Sequence, residues 1–402
     1  MQLHFGNCWQ TKESTKYTHM KLLVTGGAGF IGSNFIRYWL DKHPDDDILD
    51  VDSLTYCGNK NNLTDVDQKH PGHHRLWEFD ITCPLSTDQS NIESDSLKKS
   101  ELLGRFDREK FKQLIHAVSQ VDIVVHFAAE SHVDRSVLNA NPDHPVPFDF
   151  IQTNIWGTHI MLEAAVKAWR RPNGKYDSSR RFHHISTDEV FGALSLNAKK
   201  KFNEKTKYSP RSPYAASKAS SDLIVRSYGT SFGLPISISN TSNNYGPYMY
   251  PEKLLPLAIT NLLENKKVPV YGDGKYVRDW LYVLDHCQGI ELILQKGKPG
   301  KTYCLGGLTD DVNNLELIKK VLAIMGKDES SIEYVKDRPG HDRRYAVDWS
   351  YAKKELGYAP NHDLDTYLRE MIKWYQDNRQ WWEPIKTGKF YKEYYRKQYE
   401  LR

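Results

Sequence analysis

The stretch Lys21-Leu22-Leu23-Val24-Thr25-Gly26-Gly27-Ala28-Gly29-Phe30-Ile31-Gly32 decides how the rest of the chain is read. Residues with strand character run into a turn carrying Gly26, Gly29 and Gly32, and apolar residues at helical spacing follow: Phe30, Ile31, Phe35, Ile36 and Leu40. Glycines between a strand and a helix let backbone N–H groups approach a pyrophosphate, and the helix N-terminus then faces the anion. Gly26-x-x-Gly29-x-x-Gly32 is a spacing variant of the dinucleotide fingerprint, and its weight comes from the strand–turn–helix context. A second short apolar stretch, Ile48-Leu49-Asp50-Val51, ends in Asp52, 20 residues beyond Gly32. A carboxylate there accepts hydrogen bonds from ribose hydroxyls and repels a ribose phosphate, so NAD is favoured over NADP.

Composition sets outer bounds. With 402 residues, 39% apolar and 26% charged, the chain has material for a sizeable core in one large domain or two. A net charge of +4, dispersed along the chain, does not argue for nucleic acid. The five cysteines (Cys8, Cys57, Cys83, Cys287, Cys304) form no Cys-x-x-Cys pair, which fits a reducing, cytoplasmic setting and gives no metal site. No apolar run approaches membrane-spanning length. Residues 1–19 are polar, lack the apolar core of a secretory signal, and are expected to be a disordered extension.

After Asp52, the loop Ser53-Leu54-Thr55-Tyr56-Cys57-Gly58-Asn59 lies where the ribose end of a dinucleotide would sit. Leu76 to Ile81 alternates as a strand, with Asp80 and Ile81 at its ligand-facing carboxyl end. Residues 83–108 are polar and are expected to form a mobile inserted loop. Phe111, Leu114, Ile115 and Val118 have helical spacing, and the apolar run Val121–Ala129 suits a central parallel strand buried on both faces. Strand and helix patterns alternate to about residue 240, as in repeated βα units. Beyond that, helices near 252–265, 314–325 and 362–378 are interspersed with short strands. The predicted fold is α/β: a Rossmann-type doubly wound parallel sheet with a smaller C-terminal α/β substrate domain. The cofactor domain is expected over 20–245, with a returning segment about 275–303. The second domain takes 246–274 and 304–402.

Tyr214 and Lys218 open a predicted helix running to about Tyr228, and positions i and i+4 share a face. A phenol is a poor base at neutral pH, and a lysine one turn away, together with a cationic nicotinamide, favours the phenolate. Thr187, 27 residues upstream, is placed to hydrogen-bond the same substrate hydroxyl. Asp188 and Glu189 follow it at the end of a predicted strand. Adjacent acids take opposite roles when their environments push their pKa values apart. The plainer alternative is a helix N-cap with an acidic first turn. Arg278-Asp279-Trp280 and Arg338-Pro339-Gly340-His341-Asp342 offer guanidinium groups suited to phosphate, although taken alone each suggests a surface ion pair. The basic aromatic tail, with Lys389, Tyr391, Lys392, Tyr394, Tyr395, Arg396 and Lys397, is expected to be an amphipathic helix packed on the second domain rather than a nucleic-acid site.

These segments together resemble the extended short-chain dehydrogenase/reductase family and, within it, the dTDP-glucose 4,6-dehydratases. The resemblance runs from about Met20 to Pro384. It rests on Thr25–Gly32, Ala128–Ser136, Ser186–Gly192, Tyr214–Asp222, Ser242–Pro247, Pro251–Pro256, Arg278–Trp280 and Arg338–Asp342. It implies oxidation at carbon 4, elimination of water across carbons 5 and 6, and return of the hydride to carbon 6. Tyr214 is then the base, assisted by Thr187 and Lys218, while Glu189 takes the carbon 5 proton and Asp188 protonates the departing hydroxyl. It also implies NAD contacts at the three glycines, Phe30, Ile31, Asp52, Ser53, Leu54, Thr55, Asp80 and Ile81. Further NAD contacts are expected at Phe127, Ala128, Ala129, Ser131, Thr153, Tyr214, Lys218 and Asn244. The nucleotide sugar is expected at Ser131, Thr187, Asn243, Lys253, Leu254, Pro269 and Tyr271. Arg278 and Arg338 would clamp its diphosphate, His341 would join them, and either Asn313 or Asn314 completes the set. A homodimer is expected, with no metal, no nucleic acid and no membrane.

Departures from the pattern are modest: Phe191 replaces a usual tyrosine, Cys304 replaces a common asparagine, and the 83–108 stretch is long. A nucleotide-sugar 4-epimerase shares the Tyr-x-x-x-Lys pair but has no need of Asp188-Glu189, and a decarboxylase commonly has serine in place of Asp188. A non-catalytic NAD-binding regulator should have lost at least one of Tyr214, Lys218, Asp188 and Glu189, and all four are present.

Overall fold

β1 (Lys21–Thr25), β2 (Asp47–Asp52), β3 (His74–Glu78), β4 (Ile123–His126), β5 (Arg181–Thr187) and β6 (Ile236–Thr241) are short, and the inner strands are almost wholly buried on both faces. That is the pattern of a parallel sheet covered by helices. The computed structural model describes residues 19–83, 106–137, 148–308, 312–337 and 340–400. The expected extension, but for His19, and residues 84–105 of the expected inserted loop lie outside the described residues.

A further seven strands complete the chain: β7 (Asn243–Tyr245), β8 (Val268–Tyr271), β9 (Val277–Arg278), β10 (Trp280–Tyr282), β11 (Thr302–Leu305), β12 (Val312–Asn313) and β13 (Ile332–Val335). The main sheet has the order β11-β6-β5-β4-β1-β2-β3, with every pair parallel. Chain order reverses between β1 and β4, and a crevice opens beyond the carboxyl ends of those strands. One core, with Leu23, Val124, Phe182 and Met161, covers one side of the sheet, while a second, with Leu22, Val125, Phe35 and Trp39, covers the other.

The helix Val283–Lys296 packs Val283, Cys287, Ile290 and Leu294 into the second of these cores, and β11 pairs with β6. Cys304 and Leu305 therefore lie in the main sheet, just past the limit expected at 303, because the edge strand must run its full length to meet β6. The remaining C-terminal part has its own core. Helices Leu254–Leu263, Asn314–Ile324, Leu364–Asp377 and Arg379–Thr387 bury Ile259, Leu317, Met371, Tyr375 and Trp382 together. β8 pairs with β13 within this part, β12 pairs with β9 of the expected returning segment, and β7 pairs with β10 inside the ranges expected for the cofactor domain. The Tyr214 helix spans Pro213–Phe232, four residues beyond the expected end, and stops where Gly233 adopts a left-handed cap.

The turn after β1 is tightly constrained. Gly26 has φ +73°, and a Cβ there would sit 2.8 Å from the Ala128 backbone nitrogen. A Cβ on Gly32 would sit 2.2 Å from the Gly26 carbonyl oxygen. Asp50 Oδ1 accepts a hydrogen bond from the Gly27 N–H at 3.0 Å and pins the turn from below. Because the obstructing atom is backbone, Gly32→Ala is expected to lower stability by roughly 1–3 kcal/mol, read by urea denaturation. A loss below about 0.5 kcal/mol, the level of ordinary surface substitutions, would show slack in the turn.

Candidate active site

The strand ends place the polar residues. β1 delivers the glycine turn, β2 delivers Asp52, β4 leads into Phe127–Ser131, and β5 ends in Thr187. Together with the Tyr214 helix they enclose a cavity of about 340 Å³. Its lining includes Gly26, Gly29, Phe30, Ile31, Gly32, Asp52, Ser53, Thr55, Asp80, Ile81, Phe127, Ala128, Ala129, Ser131 and Thr153. The same cavity reaches Thr187, Glu189, Tyr214, Lys218, Asn243, Asn244 and Lys253. Cradle and catalytic candidates thus share one space.

The cradle fits a dinucleotide. Its glycines leave the backbone bare where Cβ atoms would intrude. The helix Phe30–Lys42 begins at the cradle with Gly29 as its cap and no side chain covering its N–H groups. Asp52 Oδ2 accepts from the Ala28 N–H at 3.0 Å, and Oδ1 accepts from the Leu54 N–H at 2.8 Å. A carboxylate has further lone pairs for ribose hydroxyls. Burial, with Asp50 nearby, raises the Asp52 pKa to about 6.

At the other end, Thr187 caps a single 3-10 turn, Asp188–Phe191, by accepting from the Glu189 N–H at 3.2 Å. The plain N-cap expectation is therefore met. The cap also separates the two acids. Glu189 lines the cavity, whereas Asp188 does not and is 1% exposed. Asp188 Oδ1 accepts from the Thr187 hydroxyl at 3.4 Å, and Oδ2 has no hydrogen-bond partner among the described residues. Burial, then the charge of Glu189, pushes the Asp188 carboxyl well above the usual carboxylate range.

Lys218 is 4% exposed and donates to the Ile185 carbonyl at 2.7 Å. Burial lowers its pKa to about 8, which keeps it mainly charged at neutral pH. The Tyr214 phenol is raised, chiefly by burial and then by Glu189 and Asp188. The protein's own groups therefore hold this phenol protonated.

Several predicted substrate residues lie outside the cavity lining: Leu254, Pro269, Tyr271, Arg278, Asn313 and His341. Leu54, predicted for NAD, is also off the lining and contributes a backbone N–H to Asp52. Arg338 lies outside the described residues. The surface ion pair expected of Arg278 and Asp279 is overturned, since both are buried. Arg278 lies over the Tyr345 ring at 4.4 Å, and Asp279 accepts from the Gly307 N–H at 3.0 Å. The short β9–β12 pairing pulls this segment inward. His341 stacks on Tyr276 at 3.6 Å and bonds Asp337 at 2.8 Å. Of the two asparagines left open, Asn313 caps the helix Asn314–Ile324 by accepting from the Glu316 N–H at 2.9 Å.

The sequence reading missed Asn154. It lies in a π-helical turn, Ile151–Gly157, and its amide donates to the Glu130 carbonyl at 3.0 Å and to the Ser217 hydroxyl at 2.8 Å. It ties the strand-end cluster to the Tyr214 helix. A buried asparagine in an otherwise apolar helical pattern was the available signal. Tyr56, Cys57, Tyr250 and Glu252 also line the cavity. Among the described residues, no cluster of histidine, cysteine and acids could hold a metal, and no helix is long and apolar enough to cross a membrane.

A family model described as GDP-mannose 4,6 dehydratase matches residues 23–94 and 85–371. A dTDP-glucose 4,6-dehydratase of Escherichia coli is 41% identical over 389 residues, covering 92% of this chain and 98% of that protein. One from Mycobacterium tuberculosis is 42% identical over 370 residues, covering 92% and 97%. Among solved structures, DesIV, a dTDP-glucose 4,6-dehydratase from Streptomyces venezuelae with NAD and dTDP bound, aligns with a TM-score of 0.76. That alignment has 41% identity and covers 91% of this chain and 100% of that one. A UDP-glucuronic acid 4-epimerase from Bacillus cereus aligns at 0.71 with 25% identity, covering 89% and 99%. The chain belongs to the GDP-mannose 4,6-dehydratase family.

A carboxyl whose folded pKa lies above its unfolded value costs stability once pH rises past about 4, and the cost is fully present above the folded pKa. Asparagine mimics the neutral form. Asp188→Asn is therefore expected to melt above the parent protein at pH 8, with the gap closing as pH falls towards about 4. A gap that does not narrow in thermal melts across pH would show that Asp188 is not held neutral.

Proposed function

We propose that this family member is an NAD-dependent hydro-lyase that converts dTDP-glucose to dTDP-4-dehydro-6-deoxy-glucose and water. The observation that carries this reading is the divided acid pair beside Tyr214 and Lys218: Asp188 buried and held neutral, Glu189 on the cavity wall. An oxidation alone, or an epimerisation, has no use for a second acid. The names of the relatives, at about 40% identity over nearly the whole chain, support the dTDP-sugar.

NAD, held by the Gly26–Gly32 turn, Asp52 and the Phe127–Ala129 segment, would supply a hydride acceptor for carbon 4, a hydride donor for carbon 6 and a cationic ring that favours the Tyr214 phenolate. Tyr214 takes the proton from the 4-hydroxyl, with Thr187 hydrogen-bonding that oxygen and the Lys218 ammonium supporting the phenolate. The resulting ketone acidifies the proton on carbon 5, and Glu189 removes it. Asp188, kept protonated by its burial behind the cavity wall, is the acid that the family resemblance assigns to the 6-hydroxyl, its proton going to the departing oxygen as water leaves. Lys253, whose ammonium donates to the Ser131 carbonyl at 3.2 Å, sets the wall at the sugar end. Arg278, Arg338 and His341 form the diphosphate and nucleoside side, with Pro269, Tyr271 and Asn313.

The cofactor domain comprises 20–245 with the returning segment, and the nucleotide sugar is held against the remainder. A cytoplasmic homodimer completes the proposal. The described cysteines are free thiols, and Ile151, Trp156, Leu223 and Phe232 expose apolar surface around the two neighbouring helices Thr158–Trp169 and Pro213–Phe232.

The test uses protein purified without added cofactor, incubated separately with dTDP-, UDP-, CDP- and GDP-glucose, with product mass followed. Loss of one water from the dTDP sugar alone is expected. Loss of water from a different nucleotide sugar would overturn the base assignment, and conversion to an isomer of unchanged mass would replace the dehydratase with an epimerase.

A further inference from the structure

The loop Ser53–Gly58 lines the cofactor end of the cavity through Ser53, Thr55, Tyr56, Cys57 and Gly58, yet it has no regular structure. Its own backbone bonds are few: Gly58 N–H to the Thr55 carbonyl at 3.1 Å, then Asn59 N–H to the Ala28 carbonyl at 3.0 Å. The Leu54 N–H adds a bond to Asp52 Oδ1 at 2.8 Å, and the Tyr56 side chain ties the loop to the far side of the cleft. The Arg135 guanidinium lies 3.7 Å from the Tyr56 ring centre, the Phe390 ring 5.2 Å, and the Tyr250 ring 5.5 Å edge-on. Arg135 also lies 5.0 Å from the Phe390 ring, so the three side chains form one stack. The Tyr56 hydroxyl donates to Glu252 Oε1 at 3.2 Å.

Phe390 belongs to the helix Lys389–Tyr395, close to the end of the chain. This helix is anchored on both sides of the cleft. The Tyr391 hydroxyl donates to the Pro251 carbonyl at 3.4 Å, and the Tyr394 ring lies 5.3 Å from His132. Just beyond the helix, the Gln398 amide donates to Asp134 Oδ2 at 3.2 Å, one residue before Arg135. Phe390 itself is 44% exposed, so it adds little to the core.

We infer that the helix Lys389–Tyr395 is a latch that holds the Ser53–Gly58 loop closed over the cofactor, with Phe390 as its positioning residue. This rests on the reading above that the cofactor is reduced and then reoxidised within one turnover and ends it unchanged and still bound. A site of that kind gains from a slow cofactor off-rate, and a helix bearing on the wall of the cofactor pocket supplies one.

The test measures NAD content per chain after purification and the rate of NAD release into a competing excess of ADP-ribose, alongside thermal melts with saturating NAD. The parent protein is expected to purify with about one NAD per chain. Phe390→Ala should release NAD at least about fivefold faster, as expected for loss of one exposed ring and cation–π contact. It should keep the parent melting temperature when NAD is saturating. Phe390→Tyr should restore slow release, and Lys389→Ala, whose side chain is 91% exposed, should leave it unchanged. If Phe390→Ala does not fold, Phe390→Leu takes its place with the same expected direction. Release from the alanine or leucine variant at the parent rate would overturn the latch and leave the retained-cofactor reading standing. A parent protein that purifies without NAD and exchanges it at every turnover would overturn both.

Discussion

Everything in the molecule depends on the close approach of the Gly26–Gly32 turn to the carboxyl end of β4. That contact leaves no room for a side chain at Gly26, where a Cβ would meet the Ala128 backbone nitrogen at 2.8 Å. It brings the first helix N-terminus and the Phe127–Ser131 segment to the same opening. Parallel pairing then aligns the ends of β2, β5 and β6 around it. The crevice follows from the order of the strands. Its chemistry follows from which residues occupy the strand ends.

Low dielectric gives those residues their roles. Asp188 and Glu189 are neighbours in the chain and carry the same carboxyl group, yet a single 3-10 turn buries one and presents the other to the cavity. Burial, with the charges of Glu189 and Asp279 adding to it, favours the protonated form of Asp188. Lys218 pays a desolvation cost as well, and the Ile185 carbonyl offsets part of it. The Tyr214 phenol is raised as well, by burial first and then by Glu189 and Asp188, while Thr187 lowers it.

Much of this was legible in the chain because the relevant chemistry is local in sequence. The glycine turn, the Thr187-Asp188-Glu189 run and the Tyr214–Lys218 spacing each lie within one strand end or one helical turn, so pattern alone specifies their geometry. What escaped was set by tertiary contact. Arg278 suggested a surface charge until the β9–β12 pairing buried it. Asn154 carries no motif, and its value lies in joining Glu130 to Ser217 across distant parts of the sequence. The tail was expected on the second domain alone. It packs there but also reaches Tyr56 and Arg135 of the cofactor half, because its aromatic residues find partners on both sides of the cleft.

The claim at the centre of this account is that one cavity performs oxidation, elimination and reduction on the same sugar with the same cofactor. The most direct test supplies dTDP-glucose carrying deuterium on carbon 4 and locates the label in the product. The account predicts deuterium on carbon 6, transferred within a single turnover and not diluted by unlabelled NADH added to the solution. Deuterium still on carbon 4 of a product that has lost water, or label washed out into the added pool, would contradict it.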